Sequence, residues 1–190
     1  PSAATFPGEP KDNPVNAFYT EGIYVGYRYY ETFKVPTAYP FGYGLSYTNF
    51  KYSDLKLSDT SFDKEITVSV KITNIGKTAG KEAVQLYLEA PKQTIDKPEK
   101  ELKAFAKTRL LKPNESEVVT FKLDGRSLAS FWSGISAWIA DEGKYKIHIG
   151  ASSDDIRAAA EFSVPKKLLV GKTHDVLYPN FLLHEISPKK

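Results

Sequence analysis

Apolar and polar residues alternate along much of the chain between about residue 50 and residue 164. The clearest case is residues 66–72, where aliphatic side chains alternate with Thr67, Ser69 and Lys71. A period of two is typical of a β-strand with one buried and one exposed face. On this pattern we predict strands at residues 50–57, 66–72, 84–88, 102–111, 119–123, 145–149 and 156–164, and a further strand beginning at Trp138.

Turn-forming residues separate the predicted strands. Asn74-Ile75-Gly76 ends the second strand, Pro91 ends the third, and Pro113-Asn114 fits a turn before the fifth. Residues 124–130 are predicted to form a short helical turn. Seven or eight short strands with almost no helical periodicity indicate an all-β fold, an antiparallel immunoglobulin/fibronectin III-like β-sandwich. Because the chain contains no cysteine, the disulfide-bonded immunoglobulin type is disfavoured.

The sequence divides into three parts. Residues 1–48 precede the sandwich, and the density of Pro and Gly predicts an extended loop over residues 1–16. Residues 17–48, called the connector below, are rich in Tyr and Phe, and their glycines and prolines predict an ordered but irregular segment. The sandwich is expected over residues 49–165. Residues 166–190 form a tail whose apolar side chains need cover from the sandwich or from another domain.

Composition and charge disfavour several classes of function. The 190 residues carry 26 Lys and Arg against 23 Asp and Glu, without a long block of one sign, which argues against nucleic-acid binding. No segment is long enough for a membrane-spanning helix, and the first residues lack the basic and apolar regions of a signal peptide. Because the chain begins with Pro and contains no Met, we expect it to be a piece of a longer protein.

The sequence offers little sign of a cofactor or metal site. No glycine-rich loop follows a predicted strand and opens a helix, so no phosphate-bearing cofactor is expected. His148 lies at a predicted outward strand position, and His174 and His184 have no cysteine or closely spaced histidine beside them, so no metal is expected. Ser152 and Ser153 have no local base that would make either a nucleophile.

The connector contains a concentrated set of aromatic residues beside one arginine. Its candidate functional residues are Tyr27, Arg28, Tyr29, Tyr30, Tyr39, Phe41 and Tyr43. Tyr and Arg are enriched among the anchors of protein interfaces, so we interpret these residues as a docking surface for another domain. The alternative is a sugar-stacking platform, a role that Tyr and Arg also suit. Trp132 and Trp138 are expected in the core or in an interface.

Several separated blocks of the chain resemble the C-terminal region of family 3 glycoside hydrolases. The blocks occur in the family's order, and only mild departures are seen: Ile75 stands where Thr is usual, and Asn114 where Gly is common. They cover residues 21–31, 39–48, 73–87, 98–105, 111–116 and 143–153. The resemblance implies a connector that leaves a catalytic region, followed by a fibronectin type III-like domain.

The resemblance also implies a function for the longer protein, called the parent below. That protein would be a retaining glycosidase, a β-glucosidase acting on terminal β-linked glucosides, and it would be secreted or periplasmic. This chain would be its non-catalytic accessory domain, with the catalytic domains as its partner and carbohydrate as the parent's substrate. Two alternatives stay open: a β-xylosidase parent, and an independent carbohydrate-binding or adhesion module.

No residue of this chain matches the catalytic residues of that family. The family's nucleophile is an aspartate, typically in a Ser-Asp-Trp motif, whereas here Ser53-Asp54 is followed by Leu55. Retaining glycosidases need two enclosed carboxyl groups about 5 to 5.5 Å apart. The local acidic candidates are Glu21 and Glu31 beside the aromatic residues, and Asp141-Glu142 and Asp154-Asp155 in predicted turns that we expect to be solvated. We therefore predict no catalytic residue in the chain.

Overall fold

Two antiparallel sheets pack face to face and enclose the core. The structure is a computed structural model that describes residues 10–13, 15–174, 176 and 184–188. The three-stranded sheet has the order β1-β2-β5, with β1 at Phe50–Leu57, β2 at Glu65–Asn74 and β5 at Ser116–Asp124. The four-stranded sheet has the order β4-β3-β8-β9, with β4 at Glu101–Lys107, β3 at Ala83–Glu89, β8 at Gly143–Gly150 and β9 at Ile156–Val164.

Three short strands form a small third sheet beside the sandwich. Its order is β10-β7-β6, with β10 at Leu168–Lys172, β7 at Ala137–Ala140 and β6 at Ser130–Trp132. The described residues also contain a six-residue helix, α1 (Tyr27–Thr32), within the connector and a helical turn, α2 (Gly125–Leu128), after β5. None of their helices is long and apolar enough to cross a membrane.

The core contains the inward residues of the two large sheets. On β2, Ile66, Val68, Val70 and Ile72 are all fully buried, as the alternation predicts. Across from them lie aliphatic residues of β3 and β8, including Leu86. Full burial of each such side chain contributes about 1.5–3 kcal/mol, so the sandwich is held by aliphatic packing without any disulfide.

The predicted β-sandwich is confirmed, and seven strands make up its two large sheets. The fourth predicted strand is shorter than expected, because pairing with β3 ends at Lys107. Leu111 instead forms an isolated bridge with Gly80. The strands β6 and β10 have no counterpart among the predicted strands. Residues 168–172 become a strand because β7 offers them a pairing edge.

The expectation that the tail needs cover is tested at a few positions. Leu168 packs against the core, whereas Leu169 is 58% exposed and Val176 is 75% exposed. Val170 and Ile186 are half-buried, the other apolar residues of the tail, between residues 177 and 183, lie outside the described residues, and so does most of the extended loop predicted over residues 1–16.

Candidate functional site

The connector covers part of the outer face of the four-stranded sheet. Gln85 and Tyr87 alternate with the core residues of β3 and point away from the core, yet they are only 6% and 0% exposed. The ring of Tyr27 contacts the ring of Tyr87 edge to face, with centroids 5.9 Å apart. The Gln85 side chain donates hydrogen bonds to the backbone oxygens of Gly42, at 3.2 Å, and Ala151, at 2.6 Å. The connector therefore belongs to the packed structure of the domain.

Helix α1 is fixed along the beginning of β4. The hydroxyl oxygen of Tyr27 accepts a hydrogen bond from the backbone N–H of Leu102 at 2.7 Å. Arg28 lies 3.4 Å from the carboxylate of Glu101 in an ion pair. Burial raises the pKa of Tyr27, although the Leu102 N–H bond acts in the opposite direction, so the phenol stays neutral at physiological pH. These contacts hold the helix at one orientation on the sandwich.

The far end of the connector is fixed by Asn74 at the end of β2. This side chain is fully buried. Its amide nitrogen donates to the backbone oxygens of Thr78 and Leu111, each at 2.8 Å. Its oxygen accepts from the Thr48 hydroxyl at 2.6 Å and from the Gly76 N–H at 3.0 Å. The predicted strand end at Asn74-Ile75-Gly76 is thus also the attachment point of the connector.

The structure separates the seven candidate docking residues into an inner and an outer group. Tyr27 and Arg28 bind the chain's own sandwich, and the Tyr27 ring also stacks on Phe41 at 4.7 Å. Tyr29 is half-buried and stacks on Phe33 at 4.8 Å. The outer group is substantially exposed: Tyr30 by 41%, Tyr39 by 71%, Phe41 by 47% and Tyr43 by 51%.

The outer group continues into a longer run of exposed apolar residues. Every second residue from 39 to 47 is large, apolar and exposed, and Leu45 and Tyr47 reach 90% and 98%. We call Tyr39, Phe41, Tyr43, Leu45 and Tyr47 the exposed stripe. Ile75 is 57% exposed and lies beside its end, since the Ile75 N–H donates to the Asn49 oxygen at 2.9 Å. Leu45 and Tyr47 are not among the candidates from the sequence, although the period of two from Tyr39 is a signal for both.

A first groove of about 590 Å³ lies between the connector and two loops of the sandwich. Tyr30, Tyr39 and Phe41 line it together with Glu31 and Lys100. The ammonium group of Lys100 lies 2.7 Å from the Glu31 carboxylate, in an ion pair. The charge of Glu31 is therefore compensated by a neighbouring lysine.

Asp141 departs from the expectation for an acidic residue in a turn. We expected this position to be solvated, but Asp141 is fully buried. Lys97, 2% exposed, donates to its carboxylate at 2.7 Å, and the Thr94 hydroxyl donates at 2.5 Å. Burial alone would raise the pKa of Asp141, but the hydrogen bonds from Lys97 and Thr94 outweigh it and lower the pKa. The pair connects the loop before β4 to the turn before β8.

The other acidic and histidine candidates take structural roles. The side chain of Asp155 is 44% exposed and forms an ion pair with Arg157. His148 occupies an outward position on β8, as expected, with its ring nitrogen 2.9 Å from the Glu89 carboxylate. Within the described ranges, no group of three or more His, Asp or Glu side chains is arranged to hold a metal ion.

A second groove of about 560 Å³ lies on the other side of α1. The connector contributes Tyr24 and Arg28, the strand β4 contributes Glu101, and the small sheet contributes Phe131 and Trp138. Trp132 also lines this groove. Both tryptophans were expected either in the core or in an interface. Neither belongs to the hydrophobic core, and Trp138 is 37% exposed.

Comparisons with known proteins identify this arrangement. The fibronectin type III-like domain family matches residues 82–153, which run from the beginning of β3 to beyond the end of β8. The chain is 49% identical over 158 residues to thermostable β-glucosidase B of Acetivibrio thermocellus, which covers 82% of this chain and 20% of that protein. The chain carries the fibronectin type III-like domain of family 3 β-glucosidases.

Solved β-glucosidase structures match most of this chain. β-Glucosidase 3B of Thermotoga neapolitana, solved in complex with glucose, matches with a TM-score of 0.81 and 54% identity over 86% of this chain and 22% of that one. A β-glucosidase of Paenibacillus barengoltzii matches with a TM-score of 0.82 and 37% identity over 95% of this chain and 20% of that one. The family resemblance seen in the sequence is confirmed, and the chain spans about a fifth of the length of these relatives.

Proposed function

We propose that this chain is a non-catalytic accessory part of a retaining β-glucosidase that acts on terminal β-linked glucosides. In this proposal residues 1–48 lead in from the catalytic region, residues 49–165 form the fibronectin type III-like domain, and residues 166–190 complete it as a tail. The chain docks onto the catalytic domains and stabilises them. The observation that carries the proposal is the exposed stripe.

The exposed stripe has the character of an interface that lacks its partner. Its five residues are between 47% and 98% exposed, and three of them are tyrosines. Contiguous exposed apolar patches of this kind commonly mark binding surfaces, and Tyr is a preferred anchor residue. The relatives are about five times longer than the part matched here, so a larger body of protein is available in them to cover the stripe.

The inner side of the connector prepares the stripe for docking. Tyr27, Gln85 and Asn74 attach the connector to the sandwich at separate points along its length. Binding therefore does not have to order the whole segment, and ordering is one of the main costs of association. Tyr27 and Arg28 act from the inner side, whereas Tyr30, Tyr39, Phe41 and Tyr43 are free to contact the partner.

The acidic residues support a non-catalytic role. Glu31 is compensated by Lys100, Asp141 by Lys97 and Asp155 by Arg157. A general acid or nucleophile of a retaining glycosidase needs a second carboxyl group across the sugar. These three carboxylates are instead paired with lysine or arginine, and such ion pairs have a structural role. In this proposal the catalytic carboxylates belong to the parent's other domains.

A hydrolysis assay tests the proposal. The rate of p-nitrophenyl β-glucoside hydrolysis is measured for this chain alone, for the remainder of the parent alone, and for their equimolar mixture. We expect no turnover by the chain alone, and a faster or more heat-resistant reaction in the mixture than with the remainder alone. Turnover by the chain alone would contradict the non-catalytic assignment, and a mixture indistinguishable from the remainder alone would contradict docking.

A further inference from the structure

The second groove combines aromatic surface with hydrogen-bonding groups in a way that the docking role does not use. One wall is formed by Phe131 and Trp138, neighbours in the register of β6 and β7, which are 42% and 37% exposed. Their ring centroids are 5.5 Å apart and the ring planes are inclined by 60°. The two rings therefore form an angled corner and not a flat platform.

The opposite wall of the second groove is polar. Arg28, Glu101 and Lys103 form a chain of ion pairs there, with Arg28 3.4 Å and Lys103 3.1 Å from the Glu101 carboxylate. These side chains are partly exposed and keep unused donors and acceptors. A purely apolar occupant would desolvate these charged groups without replacing their bonds to water, which is unfavourable.

Tyr24 supplies an independent sign that the second groove lacks a ligand group. Tyr24 lines the groove, the residue is only 3% exposed, and among the described residues its hydroxyl group has no hydrogen-bond partner. Burial, and to a lesser extent the negative charge of Asp96, raise the pKa of Tyr24 to about 12, so the hydroxyl keeps its proton and can donate. A buried hydroxyl without a partner is destabilising, and a ligand hydroxyl that reaches it removes that penalty.

We propose that the second groove binds a pyranose sugar, with an apolar face of the ring against Phe131 and Trp138 and the hydroxyl groups directed to Arg28, Glu101 and Tyr24. A pyranose has this dual character, because its C–H groups form apolar faces while its hydroxyls both donate and accept. A volume of about 560 Å³ lies within the usual range for small-ligand sites. The angled corner suits one or two sugar rings at a chain end better than a flat polysaccharide surface.

Tryptophan fluorescence gives a direct test, because the chain has only two tryptophans and both line the second groove. The 190-residue chain is titrated with cellobiose, and the same concentrations of glycerol serve as the solvent control. We expect a saturable change in emission with a Kd in the millimolar range. A change that does not saturate, or that glycerol reproduces, would contradict the proposal.

Two variants locate the bound sugar. Tyr24→Phe removes only the hydroxyl group, and loss of one ligand hydrogen bond is expected to weaken cellobiose binding about five- to tenfold. Tyr39→Phe makes the same change in the first groove and is expected to leave the Kd unaltered. Trp138→Ala, with its fold checked by circular dichroism, is expected to abolish binding as measured by calorimetry. Saturable binding that survives both Tyr24→Phe and Trp138→Ala unchanged would place the sugar elsewhere and overturn the assignment.

This inference does not rest on the proposed docking function. The cellobiose titration reports on the second groove, whereas docking is tested through the exposed stripe. None of the stripe residues lines the second groove. A failure to bind cellobiose therefore leaves the docking proposal intact, and a failure to dock leaves the sugar-binding proposal intact.

Discussion

The ring of Tyr27 meets the ring of Tyr87 with centroids 5.9 Å apart and an interplanar angle of 76°. This contact joins the connector to the outer face of β3, and it helps explain why a side chain on that face is completely buried. The Tyr27 hydroxyl group continues the attachment by accepting a hydrogen bond from Leu102 on β4. One residue thus contacts two adjacent strands of the sandwich.

The two parts of the Tyr27 interaction should be separable by mutation. Tyr27→Phe keeps the ring and loses the bond from the Leu102 N–H, so we expect a loss of about 1 kcal/mol in the free energy of unfolding. Tyr27→Ala also removes the ring contacts and is expected to cost about 3 kcal/mol. Urea denaturation measures both values. Equal effects of the two variants would contradict the packing contribution of the ring.

Gly42 has a backbone conformation that only glycine adopts easily, with φ at 79°. An added Cβ atom would also lie within 2.2 Å of the Gln85 side chain, which is held in place by its own hydrogen bonds. Gly42→Ala is expected to destabilise the chain by about 2 kcal/mol through strain and the displacement of Gln85. Gly44→Ala is the matched control, because no atom of the part of the chain that the structure describes lies within 4 Å of its Cβ position. Thermal unfolding should separate the two variants, and similar melting temperatures would contradict this account.

Because the Asn74 amide is buried, a carboxylate introduced at this position should lower the free energy of unfolding by an amount that depends on pH. In Asn74→Asp a carboxylate oxygen would face the backbone oxygens of Thr78 and Leu111, where the native amide donates. We expect a loss of about 3 kcal/mol at pH 7. The introduced carboxyl group would have a raised pKa in the folded state, so the penalty should shrink as the pH falls and the group is protonated. Urea denaturation at pH 7 and pH 5 checks the sign, and a penalty that grows at pH 5 would contradict the geometry.

The Lys97 and Asp141 pair predicts part of the acid sensitivity of the fold. The pKa of Asp141 is lowered in the folded state. The carboxylate therefore contributes to the free energy of unfolding above about pH 4, the usual pKa of an unfolded Asp, and this contribution is lost as the pH falls towards the folded pKa. Asp141→Asn should flatten this part of the stability profile. At pH 7 the variant leaves the charge of Lys97 buried and unpaired, at a cost of about 3–5 kcal/mol.

A double variant serves as the control for the buried pair. Lys97→Met with Asp141→Leu removes both charges, and we expect it to be more stable than Asp141→Asn alone. Glu115 and Asp124 also have lowered pKa values, and both are unchanged in these variants. The difference between the acid profiles of wild type and Asp141→Asn therefore reports on the pair itself. Parallel profiles would contradict the role of Asp141.

The strands that alternate most regularly could be predicted from the sequence, and the interactions between distant segments could not. Residues 66–72 form β2 because their alternation matches the two faces of a sheet. In contrast, Leu168–Lys172 became a strand only because β7 lies beside it. The sequence of this segment, Leu-Leu-Val-Gly-Lys, does not alternate apolar and polar residues, so it carries no period of two.

The site shows the same limit at particular residues. The pattern placed Tyr87 on the outer face of β3, but only the folded connector reveals that this face is covered. Asp141 was assigned to a solvated turn because Asp is common in turns, whereas its partner Lys97 lies 44 positions away in the sequence. The division of the aromatic candidates into inner and outer groups depends on the path of the backbone from residue 27 to residue 47, which the sequence pattern does not give.

The most direct test of the central claim is a calorimetric titration of this chain against the separately produced remainder of the parent. The wild-type chain is compared with a variant that carries Leu45→Ser and Tyr47→Ser, which are 90% and 98% exposed and should leave the stability of the free chain unchanged within about 0.5 kcal/mol. The control is Val118→Ser, because Val118 is 62% exposed and lies on β5 of the three-stranded sheet, whereas the connector covers part of the four-stranded sheet. Docking through the exposed stripe predicts at least about tenfold weaker binding for the double variant and unchanged binding for Val118→Ser. Equal affinity of the wild type and the double variant, or no binding by the wild type, would contradict the account.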